Sequence, residues 1–258
     1  MTIPTLVSLD QVRKVFANGV TALDGFGMDV REGDFLSLLG PSGCGKSTVL
    51  RLMAGLTEPT SGTVAWPGSA DAGRRGEIGF VFQEPTLMPW ANVADNVWLP
   101  LRLRGISRQE AKGRITESLS LVGLEDFAKA YPRELSGGMR MRVSIARALS
   151  VKPSLLLMDE PFAALDEIAR FKLNDDLLKA RDELKCTIVF VTHSIYESAY
   201  LSSRIAVLSP RPGHVVTEIA GASPDERGSE FRTSFAYADL CRRLSQALTS
   251  SMAGERRR

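Results

Sequence analysis

One nine-residue stretch restricts the fold of this chain more than any other: Gly40-Pro41-Ser42-Gly43-Cys44-Gly45-Lys46-Ser47-Thr48. It satisfies the pattern G-x-x-x-x-G-K-[ST] at every constrained position. Just before it stands Phe35-Leu36-Ser37-Leu38-Leu39, an apolar run that reads as a buried strand of a parallel sheet. Behind it a helical pattern runs on through Leu50, Leu52 and Met53. Strand, glycine-rich loop and helix together make a phosphate cradle. Glycines let backbone N–H groups turn inward, and the helix N-terminus adds partial positive charge. Lys46 is placed to neutralise the β- and γ-phosphates of a nucleotide, and the Ser47 hydroxyl to ligate Mg²⁺. A glycine turn can match such a pattern by chance, but the strand and helix on either side argue against that here. Cys44 fills a free position of the loop and is given no redox role.

The 258 residues suffice for one large α/β domain, or for a core with a smaller inserted lobe. No window reaches the roughly 18 to 20 apolar residues of a membrane-spanning helix, and the first ten residues lack the basic start and apolar centre of a secretory signal. A role in membrane transport therefore requires a spanning partner on another chain. The formal net charge of +2 supplies no global basic field for nucleic acid. Cys44, Cys186 and Cys241 are odd in number and scattered, which suits a reducing cytosol and offers neither a disulfide framework nor metal-ligand spacing.

The fold class expected is α/β: a P-loop core with a parallel sheet, an N-terminal antiparallel β region and an inserted helical lobe. Short β-rich runs at 6–9 and 22–30 open the chain, and buried-strand patterns recur at 154–158 and 187–191. Helical patterns lie between these runs. The stretch 84–150 reads as the helical lobe. Within it Ser107 and Glu110 form a capping-box signal, Ala111, Ile115 and Leu119 repeat at helical spacing, and Gly123 is a stop. The main domain is expected over 1–221. From about residue 222 the composition turns to Ser, Asp, Glu and Arg, which reads as a loop, a peripheral helix and a fraying basic tail at 256–258.

A second candidate cluster is Leu155-Leu156-Leu157-Met158-Asp159-Glu160, two acids ending an apolar strand. Ligands of open α/β sheets bind outside the carboxyl ends of strands. Asp159 is assigned to Mg²⁺ through water, and Glu160 to polarising the attacking water as general base. With Pro161 next in the chain, the acids could instead cap the following helix.

Together with Leu135-Ser136-Gly137-Gly138-Met139, these motifs resemble the nucleotide-binding domain of ABC transporters over roughly residues 5 to 220. The resemblance implies an LSGGQ-like signature in which Ser136, Gly137 and Gly138 meet the γ-phosphate of ATP. Read from the residues alone, Ser136 is merely an N-cap, which leaves the paired glycines unexplained. The resemblance further implies that Gln83, after Phe80-Val81-Phe82, touches Mg²⁺ or water and the permease. Ala164-Leu165-Asp166 resembles the loop facing an opposing subunit, His193 matches the switch histidine sensing γ-phosphate, and Phe16 lies where an aromatic stacks on adenine. Met139 departs from the usual signature Gln, so hydrolysis with altered nucleotide affinity is expected.

Family architecture implies that two copies clamp two ATP molecules, each signature completing the partner's phosphate loop. Hydrolysis then opens the pair and moves a transmembrane permease from the cytoplasmic face. Gln83-Glu84-Pro85-Thr86-Leu87-Met88-Pro89-Trp90, followed by Asp95-Asn96-Val97, is similar to the nitrate, sulfonate and taurine importer branch, whose members also carry pyrimidine-type precursors. Trp90 and Trp98 are expected either to line the permease groove or to pack within the lobe. A substrate-binding protein would be an indirect partner. The rivals are a soluble ATPase of DNA repair or the ribosome, a non-catalytic ATP-binding regulator, and a small-molecule kinase. The span from Gln83 to Leu135 has no room for a coiled-coil insertion, Glu160 and His193 argue for catalysis, and a kinase has no use for Ser136-Gly137-Gly138.

Overall fold

A computed structural model describes residues 3–67, 78–163, 165–222, 227 and 230–253. Ala164 and the arginines at 256–258, named above, lie outside the described residues. The chain divides into two compact units, Met1–Gly76 with Thr187–Arg258, and Glu77–Cys186.

The first unit opens with an antiparallel sheet. Strand β1 (Thr5–Val15) lies between β2 (Thr21–Arg31) and β4 (Ser61–Ala65). Phe26, Met28 and Val30 alternate inward along β2, the period-two pattern of a half-buried strand. In the same unit β3 (Phe35–Leu39) is buried along its whole length and feeds α1 (Lys46–Met53). Strand β7 (Thr187–Thr192) pairs parallel with one edge of β3, Leu39 opposite Thr192. Strand β8 (Arg204–Leu208) pairs parallel with the other edge, Leu39 opposite Val207, and β9 (Val215–Ala220) returns antiparallel beside β8. A strand enclosed on both edges and both faces needs the continuous apolar run that marked it in the sequence.

The segment beyond residue 222 does more than decorate the surface. Helix α7 (Phe235–Ala253) is the last element, and α6 (Ile195–Leu201) follows β7. Leu240 and Leu244 of α7 share a core cluster with Leu39, Ala199, Ile205 and Val207. Arg227 ties the approach to α7 by donating to Leu201 O and Ala222 O. The polar composition of this segment belongs to its outer face, whereas the leucines four apart bury its inner stripe.

In the second unit β5 (Ile78–Val81) pairs parallel with β6 (Leu155–Asp159). Helices α2 (Val93–Leu103), α3 (Arg108–Ser120) and α4 (Gly137–Leu149) fill the stretch expected to be helical, and α5 (Glu167–Leu184) follows β6. The capping box forms as read: Ser107 Oγ accepts the Glu110 N–H, and the Glu110 carboxylate accepts the Ser107 N–H at 2.9 Å. Gly123 takes a left-handed φ of 65° just past α3.

None of the three cysteines forms a disulfide, and burial pushes the Cys186 thiol up to about 11, so it remains protonated and inert near neutrality. No helix among the described residues is long and apolar enough to cross a membrane.

One interior contact of the first unit gives a stability prediction. Ser202 Oγ and Ser37 Oγ form a 2.5 Å hydrogen bond, and both residues are fully buried. Ser202→Ala should cost about 1–3 kcal/mol in urea unfolding, because it strands the Ser37 hydroxyl. The double variant S37A/S202A should cost less than the sum of the two single changes.

Candidate functional site

The phosphate loop leaves the end of β3 and turns into α1 as its motif requires. Gly43 and Gly45 hold left-handed φ angles of 77° and 104°. Gly45 is also the N-cap of α1 and brings no side-chain acceptor to the first turn. A Cβ at Gly45 would lie 2.8 Å from Leu23 Cδ2 and 2.9 Å from Ala22 O, so sterics and backbone conformation both exclude other residues. Lys46 is only 5% exposed, and its Nζ donates to Gly40 O at 2.7 Å and Pro41 O at 2.9 Å. The ammonium thus curls into the loop that it is expected to share with phosphate oxygens. Ser42 and Gly43 form the exposed rim, while Cys44 is buried with its Sγ 3.9 Å from Lys46 Nζ.

His193 emerges from the neighbouring strand end, since Leu39 and Thr192 are register partners. Phosphate loop and histidine therefore leave one edge of one sheet. The histidine is exposed, and its backbone is gripped from both sides. Thr192 Oγ1 donates to the Glu197 carboxylate at 2.5 Å and accepts the Ser194 N–H at 2.9 Å. Ser194 Oγ then caps α6 by accepting the Glu197 N–H. No local sequence pattern marks Glu197 for this contact. Ser194 and Glu197 at capping-box spacing were the available signal, but the carboxylate reaches Thr192 where a capping box would return to Ser194.

Phe16 also belongs to the first unit. It sits in the β1–β2 turn, closed by the Phe16 N–H to Val20 O at 3.0 Å, with Lys14 Nζ 5.6 Å from its ring centroid. The ring is about two-fifths exposed, as a stacking platform must be.

The acids and signature lie in the second unit. Asp159, 5% exposed, closes β6. Glu160 follows at a left-handed φ of 45°, a conformation that costs a non-glycine residue roughly 1–3 kcal/mol and that clusters at functional positions. Neither acid caps the next helix: Asp166 does, its Oδ1 accepting the Ala169 N–H at 2.8 Å. The capping alternative for Asp159 and Glu160 is thereby removed. Gln83 is exposed just beyond β5, whose Val81 pairs with Met158, so Gln83 and Asp159 leave the same end of adjacent strands.

Ser136 is the N-cap of α4, accepting the Met139 N–H at 3.2 Å. The two glycines have different reasons. A Cβ on Gly138 would fall 2.7 Å from Leu165 Cδ2, so packing demands that glycine. On Gly137 the nearest contact would be Arg140 Nη2 at 3.8 Å, so nothing internal requires its bareness. Ser136 and Gly137 are both exposed.

The segment after Gln83 is organised by two residues that sequence patterns did not single out for this role. Fully buried Asn96 accepts the Met88 N–H at 2.8 Å and donates to Met88 O, Ala91 O and Asn92 O. Arg147 of α4 reaches Pro85 O, Thr86 O and Thr86 Oγ1. Burial lowers the Arg147 pKa from its usual value, and the carbonyls answer its charge with hydrogen bonds. The two tryptophans part company. Trp98 packs inside the lobe, its indole N–H donating to Ile106 O at 3.1 Å, whereas Trp90 is 77% exposed.

Comparison with known proteins bears on this arrangement. A family model described as ABC transporter matches residues 23–163. The taurine import ATP-binding protein TauB of Rhizobium johnstonii is 46% identical over 201 residues, covering 78% of this chain and 77% of that one. The nitrate import ATP-binding protein NrtD of Synechocystis sp. is 42% identical over 231 residues, covering 88% and 87%. Among solved structures, a dimeric post-hydrolysis state of the ATP-binding cassette MJ0796, bound to ADP and Pi, superposes with a TM-score of 0.75. It is 36% identical and covers 84% of this chain and all of that one.

The Arg147 contacts predict a local effect. Arg147→Met should speed amide exchange at residues 84–91 at least about tenfold and lower stability by about 1–3 kcal/mol. Arg147→Lys should restore little, since a single ammonium lacks the guanidinium fork. Hydrogen exchange read by mass spectrometry checks both.

Proposed function

Because this chain belongs to the ABC transporter family as its ATP-binding and ATP-hydrolysing subunit, we propose that two copies of it power an importer of small anions. The observation that carries the paired assembly is the bare, exposed Ser136-Gly137 turn at the N-terminus of α4. It offers anion-binding backbone that its own unit does not use for packing. A second copy would bring that turn to the γ-phosphate of ATP held on the first copy's loop. Each copy needs the other, which closes the pair with two-fold symmetry. Asp166 would face the partner at that interface.

On this reading Lys46 and the amides of the phosphate loop hold the β- and γ-phosphates, and Phe16 stacks on adenine. Glu160 accepts a proton from the attacking water, which then adds to the γ-phosphorus as the bond to the β-γ bridging oxygen breaks. His193 contacts the γ-phosphate, and the Thr192–Glu197 grip keeps it in place. The donors assigned to Mg²⁺ are the Asp159 carboxylate, the Ser47 hydroxyl and the Gln83 amide. These are hard oxygens, and among the described residues no cluster of three or more His, Cys, Asp or Glu forms an all-protein cage. Such a sparse oxygen set fits Mg²⁺, which keeps water and phosphate ligands of its own. When bound, the ion would draw charge from the phosphate oxygens.

The ATPase unit we propose runs over 1–221, with α7 packed on its core and the lobe at about 84–150 facing the permease. Exposed Trp90, on a loop fixed by Asn96 and Arg147, supplies an aromatic anchor for a permease helix at the cytoplasmic face of the membrane. The cargo class follows from relatives named for taurine, nitrate and aliphatic sulfonate import. Cargo choice itself would rest with the permease and a substrate-binding protein, and a pyrimidine-type precursor remains within the same branch. No nucleic-acid role enters this reading.

Two experiments test it. Glu160→Gln with ATP should give a stable dimer by size-exclusion chromatography and lower turnover at least about 100-fold. A monomer hydrolysing at the parent rate would sink both the base and the clamp. Met139→Gln should leave kcat within about threefold and lower KM for ATP, since a polar group returns beside the partner's nucleotide. An inactive parent chain would overturn the view that Met139 merely tunes affinity.

A further inference from the structure

The connection between β8 and β9 reads Ser209-Pro210-Arg211-Pro212-Gly213-His214. Its backbone lies directly against the phosphate loop. The Gly213 N–H donates to Ala22 O at 2.8 Å, and Gly213 bridges to Leu23 in parallel sense. A Cβ on Gly213 would fall 2.0 Å from Cys44 O, so no other residue fits. Ala22 and Leu23 in turn press on Gly45, and Leu208 Cβ would lie 3.1 Å from a Cβ on Gly40. The loop is thus held between β2 and this hairpin.

The hairpin is itself rigid. Buried Ser209 places its Oγ 2.8 Å from Pro210 O, 3.1 Å from Pro212 O and 2.9 Å from His214 Nδ1, and accepts the His214 N–H at 3.0 Å. Prolines on either side of Arg211 restrict its backbone further, so little conformational freedom remains to be lost on binding. What this scaffold displays is the exposed Arg211 side chain. Its Nη2 lies 4.0 Å from the position of a Cβ on Gly43, over the exposed rim of the phosphate loop.

We propose that Arg211 is a nucleotide-binding residue, a second cation that hydrogen-bonds the polyphosphate seated on residues 40–48. Lys46 approaches that phosphate from inside the loop, buried among its carbonyls. Arg211 approaches from the rim, where a planar fork can span two phosphate oxygens. The inference rests on reading residues 40–48 as the phosphate cradle, and the experiment separates the two.

Equilibrium binding of ATP and of adenosine to the full chain is measured for the parent, Lys46→Ala, Arg211→Ala and Arg211→Lys, with the unfolding midpoint of each recorded without nucleotide. Arg211→Ala should weaken ATP about tenfold and leave adenosine binding and the midpoint unchanged, with Arg211→Lys recovering part of the loss. If the parent binds ATP, Lys46→Ala does not, and Arg211→Ala stays within about twofold of the parent, this inference is wrong and the cradle stands. An equal loss of adenosine affinity, or a lowered midpoint, assigns Arg211 to the architecture of the hairpin and also overturns it. A parent that binds no ATP overturns the cradle itself.

Discussion

Strand β3 is hydrogen-bonded along both edges, to β7 and to β8, and both partners run parallel to it. Much of the first unit's chemistry depends on that constraint. A strand paired on both sides and covered on both faces can release its chain only at its ends. Parallel pairing then sends its neighbours' chains out at the same end. The phosphate loop after Leu39, His193 after Thr192 and the Ser209-to-His214 hairpin after Leu208 consequently emerge along one edge. A loop near the start of the chain and two segments near its end become neighbours through backbone hydrogen bonding.

Preorganisation in these segments comes from side chains that close on the backbone. Thr192 joins Ser194 to Glu197 around the histidine, Ser209 gathers its own hairpin, and Asn96 and Arg147 hold the loop that presents Trp90. Each pairs a side-chain polar group with a backbone carbonyl or amide of its own segment or a neighbouring one. The loops consequently behave as parts of the scaffold. Glu160 shows the converse: its left-handed backbone is strain that the surrounding structure must sustain.

Much of this was legible in the linear chain because the relevant signals are local. Glycines of the phosphate loop are compelled by backbone angles within the loop, the capping box at Ser107 by a spacing of three, and the strands by uninterrupted apolar runs. The C-terminal helix is less legible in the linear chain. Its leucines at 240 and 244 share a core with Leu39, from near the start of the chain, and with Val207 of β8, while its overall polarity suggests a peripheral segment. The alternative that Asp159 and Glu160 cap a helix could not be dismissed by spacing, and fell only when Asp166 was found in that place.

The sequence by itself determined the α/β class, the strand-loop-helix unit from Phe35 to Met53, the apolar strand β6, the helix start at Ser136 and the family, since each is encoded in contiguous residues whose conformational demands are short-range. Only the tertiary structure decided why Gly138 must be glycine, which tryptophan is presented to solvent, how His193 is steadied and that Arg211 overhangs the phosphate loop. Those facts depend on close approach between segments remote in sequence. Steric exclusion and hydrogen bonding act over a few ångströms of space, whatever the separation along the chain.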